Sequence, residues 1–368
     1  MKGIILAAGK GTRMYPMTMP VCKPLIPVYD KPLIYYPLAV LMQAGIKDIL
    51  IIVPPDEMYS FIKLFGDGAD LGLNISYRIQ KVQRGIADAF IIGKSFIGND
   101  EVCLILGDNI FYGDCLKQSL LKARANEDTT VFGYYVDDPR PFGVVEFDEN
   151  NKAISIEEKP ANPKSNYIVP GLYFYPNSVV DIAADVKPSQ RGELEITSVN
   201  NEYLKRGELN VVTLGSDFTW LDAGSAQTLL ISANTISDIQ TKTGKLVACL
   251  EEIAYDMGYI NAEQLLKLGE GMAKTTYGEY ILNFYEGLGE ELNRSPALYR
   301  YAIHQTEGGQ KSNALGLSVL YIIHIACGLC APCLSFFCFP ACFQLLAKRQ
   351  NLLQAGDDAA LFGEGGEG

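Results

Sequence analysis

The first residues able to do chemistry form a short glycine-containing loop near the start of the chain. An apolar run, residues 3–8, leads directly into Gly9, Lys10, Gly11, Thr12 and Arg13. Glycine lets the backbone approach a ligand closely, and such a loop after a buried strand can cradle phosphates. Arg13 adds a fork of donors that suits phosphate oxygens. The loop therefore predicts a phosphate site.

Two common glycine-loop motifs do not fit this stretch. A P-loop requires G-x-x-x-x-G-K-[ST], but Lys10 is followed by Gly11. A dinucleotide fingerprint requires G-x-G-x-x-G, but Met14 stands at the third glycine position. We therefore expect phosphate binding by another arrangement, in which Lys23 supplies a second positive charge.

Two acids fall where a metal ion could be held. Asp108 follows a buried apolar run, and Asp222 lies in the stretch 220–224, which reads W-L-D-A-G. Carboxylates can hold Mg²⁺ beside phosphates, because this ion takes one or two carboxylates and keeps several waters. Each acid alone could equally be a turn or helix-capping residue. Together with the glycine loop, Asp108 and Asp222 are better explained as a Mg²⁺ site.

A second group of residues could hold a sugar phosphate. Glu158 and Lys159 end a predicted strand, so Lys159 could meet a phosphate and Glu158 sugar hydroxyls. Gly143 and Tyr173 could line the sugar. Taken alone, E-E-K-P is typical of a surface turn, and Gly143 and Tyr173 are typical of a turn and of a core.

Gln80 and Gly85 could read a nucleobase. A side-chain amide carries a donor and an acceptor side by side, which matches the N3–H and a carbonyl of thymine or uracil. Gly85 would let the backbone approach the base. The alternative is an ordinary polar loop.

The histidines exclude several kinds of nucleophilic catalysis in the first part of the chain. The chain has two, His304 and His324, and both lie near its C-terminal end. Catalysis must therefore rely on carboxylates, lysine, arginine and metal. This inventory suits phosphoryl-type transfer, in which positioning and charge neutralisation dominate.

The elements that position these residues alternate between strands and helices. Short apolar runs at 48–53, 75–80, 101–106 and 129–135 are separated by helical patterns. This predicts an α/β fold with a mostly parallel sheet and helices on both faces. Ligands bind beyond the carboxyl ends of such strands, where Gly9, Gln80 and Asp108 fall.

The pattern then changes twice. Runs at 143–148, 153–159 and 168–175 predict a small mixed-sheet extension. A helix is predicted to open at 191–197, followed by a strand at 209–214 and a helix to about residue 238. Three more helical patterns predict a helical appendage. We therefore expect an α/β domain at 1–240, the appendage at 241–287 and an atypical tail at 288–368.

Composition restricts the class of partner. The chain has 368 residues, 48% of them hydrophobic, and a net charge of −12. The length supports a large core, and the acidic balance argues against a polymeric nucleic acid as partner. No signal peptide is evident at the start, so a cytoplasmic location is expected.

The assembled motifs resemble those of the sugar-1-phosphate nucleotidylyltransferases. They include L-A-A-G-K-G-T-R-M-Y-P-M-T, L-G-D-N-I-F-Y-G, I-S-I-E-E-K-P and W-L-D-A-G-S. Over residues 1 to about 287 the resemblance is to the members that act on glucose 1-phosphate and dTTP. It implies a Rossmann-like fold, formation of dTDP-glucose and pyrophosphate with Mg²⁺, a place in dTDP-rhamnose biosynthesis, and a homotetramer.

The resemblance also implies a role for each candidate residue. The triphosphate loop corresponds to Gly9, Gly11, Thr12 and Arg13, and the lysine near the α-phosphate to Lys23. The base readers are Gln80 and Gly85, and the metal ligands Asp108 and Asp222. The glucosyl phosphate site corresponds to Gly143, Glu158, Lys159 and Tyr173. Alternatives are a UTP- or CTP-using enzyme and a non-catalytic nucleotide-sugar-binding protein.

The tail has no counterpart in that family. Residues 312–347 carry no charged side chain, and 321–347 are long and apolar enough to span a bilayer. Five cysteines crowd into this stretch. A membrane contact, a metal or iron–sulfur site and an extension without function are the competing interpretations.

Overall fold

The computed structural model describes residues 1–294, with side chains described to residue 288. The strands are β1 Lys2–Leu6, β2 Pro27–Val28, β3 Lys31–Pro32, β4 Asp48–Val53, β5 Asn74–Ile79, β6 Val102–Leu106, β7 Asn109–Gly113, β8 Thr129–Tyr135, β9 Gly143–Phe147, β10 Ala153–Glu158, β11 Tyr167–Ile168, β12 Leu172–Tyr175, β13 Leu209–Thr213 and β14 Phe218–Asp222. The α-helices are α1 Tyr35–Gln43, α2 Met58–Phe65, α3 Asp88–Ile97, α4 Leu116–Arg124, α5 Val179–Asp185, α6 Ile196–Arg206, α7 Ala226–Thr243, α8 Leu250–Asp256, α9 Ala262–Gly271 and α10 Thr276–Arg294.

The main sheet has ten strands and confirms the predicted α/β class. Its order is β10-β9-β11-β8-β12-β6-β1-β4-β5, with β13 paired to β8. Strands β6, β1, β4 and β5 are parallel. Because β4 and β6 lie on opposite sides of β1, the strand order reverses there, and a ligand crevice is expected at the carboxyl ends.

The central strands are buried on both faces, which explains their continuous apolar sequences. Ile5, Ile49 and Ile51 pack in a core on one face. Ile4, Leu50 and Ile52 pack in a second core on the other face. Alternate residues of each strand thus pack in the two cores on opposite faces of the sheet.

A second, two-stranded sheet is formed by β7 and β14, and the sequence did not predict it. The antiparallel register pairs Asn109 with Asp222. The Ala223 N–H also donates to the Asp108 carbonyl at 3.1 Å. The pairing joins two segments that lie far apart in the chain and places the two acids side by side.

Two predicted elements need correction. The helix expected to open at 191 begins at Ile196, because the preceding segment is fixed outside a helix: Gly192 has a φ of 78° and the Leu194 N–H donates to the Arg84 carbonyl at 2.6 Å. The strand predicted at 168–175 is two strands separated by residues 169–171. Both irregular segments border the cleft described below.

The helices after residue 240 pack against the main core. Leu250, Ile253, Leu265 and Ile281 belong to the same buried cluster as Ile5. Residues 1–288 form one compact unit. The domain boundary at 240 stays a prediction.

The membrane contact proposed for residues 321–347 lies outside the described residues. Within the part of the chain that the structure describes, no helix combines the length and apolar character needed to cross a bilayer.

We expect Gly72→Ala to destabilise the protein more than Gly207→Ala. Both glycines have a left-handed φ, 66° and 76°, a conformation that costs an L-residue about 1–2 kcal/mol. A Cβ at Gly72 would also come within 2.3 Å of the Tyr259 carbonyl oxygen, whereas Gly207 faces open space. Denaturant midpoints would measure the difference. Equal midpoints would contradict the docking of residue 259 against this turn.

Candidate active site

A cleft of about 560 Å³ opens at the carboxyl edge of β6 and brings together most of the predicted site residues. Its lining includes Arg13, Asp108, Gly143, Glu158, Lys159, Tyr173 and Asp222. Gly9, Gly11, Thr12, Lys23, Gln80 and Gly85 lie outside this lining. Of these, Lys23 contacts the lining residue Asp108, and each is described below.

The glycine loop folds back on itself around Gly11. Its φ is 62°, and a Cβ there would come within 2.8 Å of the Thr18 methyl and 3.2 Å of the Lys23 Cβ. The Gly11 carbonyl accepts hydrogen bonds from the Thr18 hydroxyl at 2.7 Å and from the Met14 N–H at 2.8 Å. The positive φ and the close contacts explain why residue 11 is glycine, and they place Lys23 against the loop.

The other loop residues are less constrained. A Cβ at Gly9 would meet nothing within 4 Å, so packing does not require glycine there. Thr12 and Arg13 form a short 3-10 turn. Arg13 is exposed and lines the cleft.

The two acids and Lys23 form one electrostatic group. The buried Lys23 ammonium donates to one Asp108 carboxylate oxygen, and the Asn109 amide donates to the other at 2.9 Å. Burial would raise the pKa of Asp108, but the charge and hydrogen bond of Lys23 lower it below its usual value.

Asp222 behaves in the opposite way. Burial and the neighbouring Asp108 charge raise the pKa of Asp222 to about 6. Asp108 is thus paired with a cation, whereas Asp222 makes no ion pair within the part of the chain that the structure describes. A perturbed pair of this kind in a cleft is typical of a functional site.

Asn109 holds this site together, and the sequence did not single it out. The buried side-chain oxygen Oδ1 of Asn109 accepts hydrogen bonds from Trp220 Nε1 at 2.7 Å and from the Gly171 N–H at 3.0 Å. Its amide nitrogen orients Asp108. One side chain therefore links the two-stranded sheet, the bend before β12 and the acid. In the sequence, the one indication of this role was the position of Asn109 directly after Asp108.

Glu158 is fixed on the opposite side of the cleft. The Thr197 hydroxyl donates to Glu158 Oε2 at 2.5 Å. Lys159 Nζ lies 3.7 Å and Arg191 Nη1 3.9 Å from Glu158 Oε1. A Cβ at Gly143 would come within 3.1 Å of the Thr197 hydroxyl, so a larger residue would crowd the group that holds this acid.

Arg191 is a cation that sequence reasoning missed. The sequence predicts a helix from residue 191, but Arg191 lies in the loop before α6 and forms ion pairs with Glu158, Glu193 and Glu195. Lys159 has a φ of 45°, a conformation that a non-glycine residue rarely adopts. Strained backbone of this kind clusters at functional sites.

Tyr173 forms part of the cleft wall. Its side chain is 3% exposed, and its ring stacks on Tyr175 with centroids 6.1 Å apart. Burial, followed by the charges of Glu158 and Asp108, raises the pKa of Tyr173. It therefore presents a neutral phenol to the cleft.

Gln80 and Gly85 lie beside the glycine loop. Gln80 is 6% exposed and donates to Asp88 Oδ2 at 2.9 Å. Gly85 has a φ of 112°, and a Cβ there would come within 2.5 Å of the Leu194 carbonyl oxygen. The Gln83 amide donates to the Ala8 carbonyl at 2.6 Å, which ties this loop to the start of the glycine loop.

The donor set fits a magnesium ion. No group of three or more His, Cys, Asp or Glu side chains that could hold a metal occurs among the described residues. Asp108 and Asp222 instead offer carboxylate oxygens from adjoining backbone segments. Mg²⁺ is usually bound by one or two carboxylates together with waters and substrate phosphates, so this pair is adequate.

The fold and cleft are those of a nucleotidyltransferase. The family model described as nucleotidyl transferase matches residues 2–238, and the chain belongs to this family. Within it, curated relatives are glucose-1-phosphate thymidylyltransferases. That of Neisseria meningitidis is 54% identical over 283 residues, covering 77% of this chain and 98% of the relative.

Two further comparisons agree. The glucose-1-phosphate thymidylyltransferase of Xanthomonas campestris is 53% identical over 281 residues, covering 76% of this chain and 95% of the relative. A crystal structure from Bacillus anthracis, described as a glucose-1-phosphate thymidylyltransferase in complex with sucrose, is 42% identical. It matches with a TM-score of 0.59 over 64% of this chain and 94% of that one.

We expect Asn109→Ala to lower the unfolding free energy by roughly 2–4 kcal/mol, because it leaves the Trp220 and Gly171 donors without their buried acceptor. Asn201→Ala is the matched control, since Asn201 donates a single hydrogen bond, to the Ile156 carbonyl at 2.9 Å. Its expected cost is about 1 kcal/mol. Chemical denaturation would measure both. Equal costs would show that Asn109 does not link the segments around it.

Proposed function

We propose that this chain transfers a deoxythymidylyl group from dTTP to glucose 1-phosphate, giving dTDP-glucose and pyrophosphate. The observation that carries the proposal is a single cleft with two kinds of anion site. Arg13 lines this cleft together with the two acids, and so do Glu158 and Lys159. The chain's similarity to glucose-1-phosphate thymidylyltransferases supports this assignment.

The nucleotide side of the cleft suits a triphosphate. In this proposal the backbone at Gly9, Gly11 and Thr12 approaches the phosphates, and Arg13 binds their oxygens. Lys23 lies beneath the loop with its ammonium on Asp108, where it can share its charge with the α-phosphate. Gln80 and Gly85 are assigned to the base.

The sugar side suits a hexose phosphate. Lys159 is assigned to its phosphate, and Arg191 is a second cation within reach of the same acid. Glu158, held by the Thr197 hydroxyl, is assigned to sugar hydroxyls. Gly143 leaves room beside it, and Tyr173 forms the wall.

The reaction needs little covalent chemistry from the protein. An oxygen of the sugar phosphate attacks the α-phosphorus in line and forms a new P–O bond. The bond between the α-phosphorus and its bridging oxygen breaks, and pyrophosphate leaves with the electron pair. The attacking oxygen is already ionised near neutral pH, so no general base is required. Arg13, Lys23 and Lys159 stabilise the charge that develops.

Mg²⁺ is the proposed cofactor, and Asp108 and Asp222 would hold it. When bound, it would neutralise phosphate charge as a Lewis acid. The homotetramer and the place in dTDP-rhamnose biosynthesis that the resemblance implies remain predictions.

A nucleotide panel tests the proposed substrates. Pyrophosphate release would be measured with glucose 1-phosphate and dTTP, UTP, dCTP or dATP. We expect a higher kcat/KM with dTTP and UTP than with dCTP or dATP, because Gln80 can match the N3–H and a carbonyl of thymine or uracil. Between the two, dTTP should be preferred, in keeping with the similarity to thymidylyltransferases. A strong preference for dCTP would contradict the assigned base reader. Binding of nucleotide with no pyrophosphate release would favour a non-catalytic binding protein.

We expect Asp222→Asn to lose activity without losing stability. The ionised Asp222 is disfavoured in the folded protein, because burial and Asp108 raise its pKa to about 6. Removing its charge therefore relieves a cost at pH 7, whereas kcat/KM should fall on the order of 10²–10³-fold, as for a lost electrostatic group. Kinetics and thermal unfolding measure the two effects.

Asp108→Asn should likewise abolish turnover. The matched control is Asp114→Asn, an exposed acid just beyond the far end of β7, which should stay within about twofold of the unmodified enzyme, as expected of a surface substitution. Turnover by either cleft variant at the unmodified rate would refute the roles assigned to the two acids.

A further inference from the structure

One buried carboxylate has no part in the chemistry proposed above. Asp88 begins α3 and is 1% exposed. Its Oδ2 accepts a hydrogen bond from Gln80 Nε2 at 2.9 Å, and its Oδ1 accepts one from Arg84 Nη2 at 2.5 Å. A charge is rarely buried unless it is paired, and here one of its two side-chain partners is the proposed base reader.

The chemistry of a carboxylate restricts the orientation of Gln80. The two ends of a glutamine amide have nearly the same shape, so the group can rotate by half a turn without a steric cost. An ionised carboxylate is an acceptor only, whereas the amide NH₂ is a donor only. Asp88 therefore forces the NH₂ group of Gln80 toward itself. The amide carbonyl and the second N–H are left to meet a ligand in a fixed order.

That order matters because thymine and cytosine present opposite patterns to such an amide. Thymine and uracil carry a donor at N3 and an acceptor at O4. Cytosine carries an acceptor at N3 and a donor at N4. An amide held in one orientation matches the first pattern, and the same amide after half a turn matches the second.

We infer that Asp88 is a positioning residue for base selection: it locks the Gln80 amide in the orientation that accepts from the N3–H of thymine or uracil and rejects cytosine. The inference rests on the proposed function, since it requires Gln80 to face the base. Arg84 pairs with the second oxygen of Asp88 and is 53% exposed at its side chain.

The test is the ratio of kcat/KM for dTTP to that for dCTP. In Asp88→Asn the side chain can donate or accept, so Gln80 can adopt both orientations. We expect the ratio to fall about tenfold or more, in keeping with a hydrogen bond to a charged group. Asp88→Ser, which can also donate or accept, should give a similar fall and serves if the first variant does not fold. An unchanged ratio in a folded variant would overturn the inference.

A double-mutant cycle separates the lock from general damage. If Asp88 acts through Gln80, adding Asp88→Asn to Gln80→Ala should not change the ratio further. A residue that merely stabilises the fold would lower kcat/KM for both nucleotides in both backgrounds. A further fall in the ratio when Asp88→Asn is added to Gln80→Ala would show that Asp88 acts independently of Gln80, which would contradict the inference.

Arg84→Gln is the matched control, because it removes the ion pair on the second oxygen of Asp88 but keeps the carboxylate beside Gln80. Its ratio should stay close to that of the unmodified enzyme, and a fall equal to that of Asp88→Asn would show that loosening of the loop is sufficient. Turnover of dTTP by the unmodified enzyme separates the proposed function from the inference about Asp88. No turnover of dTTP would refute the proposed function, whereas turnover with an unchanged variant ratio would refute the lock alone.

Discussion

The candidate site depends on the antiparallel pairing of β7 with β14. Asp108 stands immediately before one strand and Asp222 ends the other, and the register pairs Asn109 with Asp222. Backbone hydrogen bonds therefore set the separation of two acids that lie more than a hundred residues apart in the chain. The Asn109 side chain completes the arrangement, because it accepts from Trp220 and Gly171 while it donates to Asp108.

The same pairing brings two negative charges together, and only one of them is paired with a cation. Lys23 pairs with Asp108, whereas Asp222 keeps a raised pKa because burial and Asp108 both disfavour its charge. Stability alone gives no reason to place two half-buried acids at adjoining backbone positions, because like charges repel and partial burial disfavours both. The arrangement is explained if Asp108 and Asp222 would together hold a cation. The unfavourable ionisation of Asp222 in the folded protein then follows from the requirement for two adjacent carboxylates at the site.

The sequence predicted the parts of the site that local patterns carry. The glycine loop, the acid after β6 and the acid–lysine pair after β10 all follow apolar runs, and their chemistry can be read from residue type. The pairing of β7 with β14 could not be read, because no local pattern states which distant strand is the partner. Arg191 was missed for a related reason: the loop that carries it is fixed by a tertiary hydrogen bond from Leu194 to Arg84.

The sheet itself divides the cleft between the two proposed substrates. β1, β4, β5 and β6 are parallel, and the glycine loop, Gln80 and Asp108 follow their carboxyl ends. β12 is inserted antiparallel between β6 and β8, and β9 and β10 form an antiparallel pair beyond it. Glu158 and Lys159 therefore enter the cleft from strands of the other half. The change of strand direction thus brings residues from two separate halves of the sheet into one cleft.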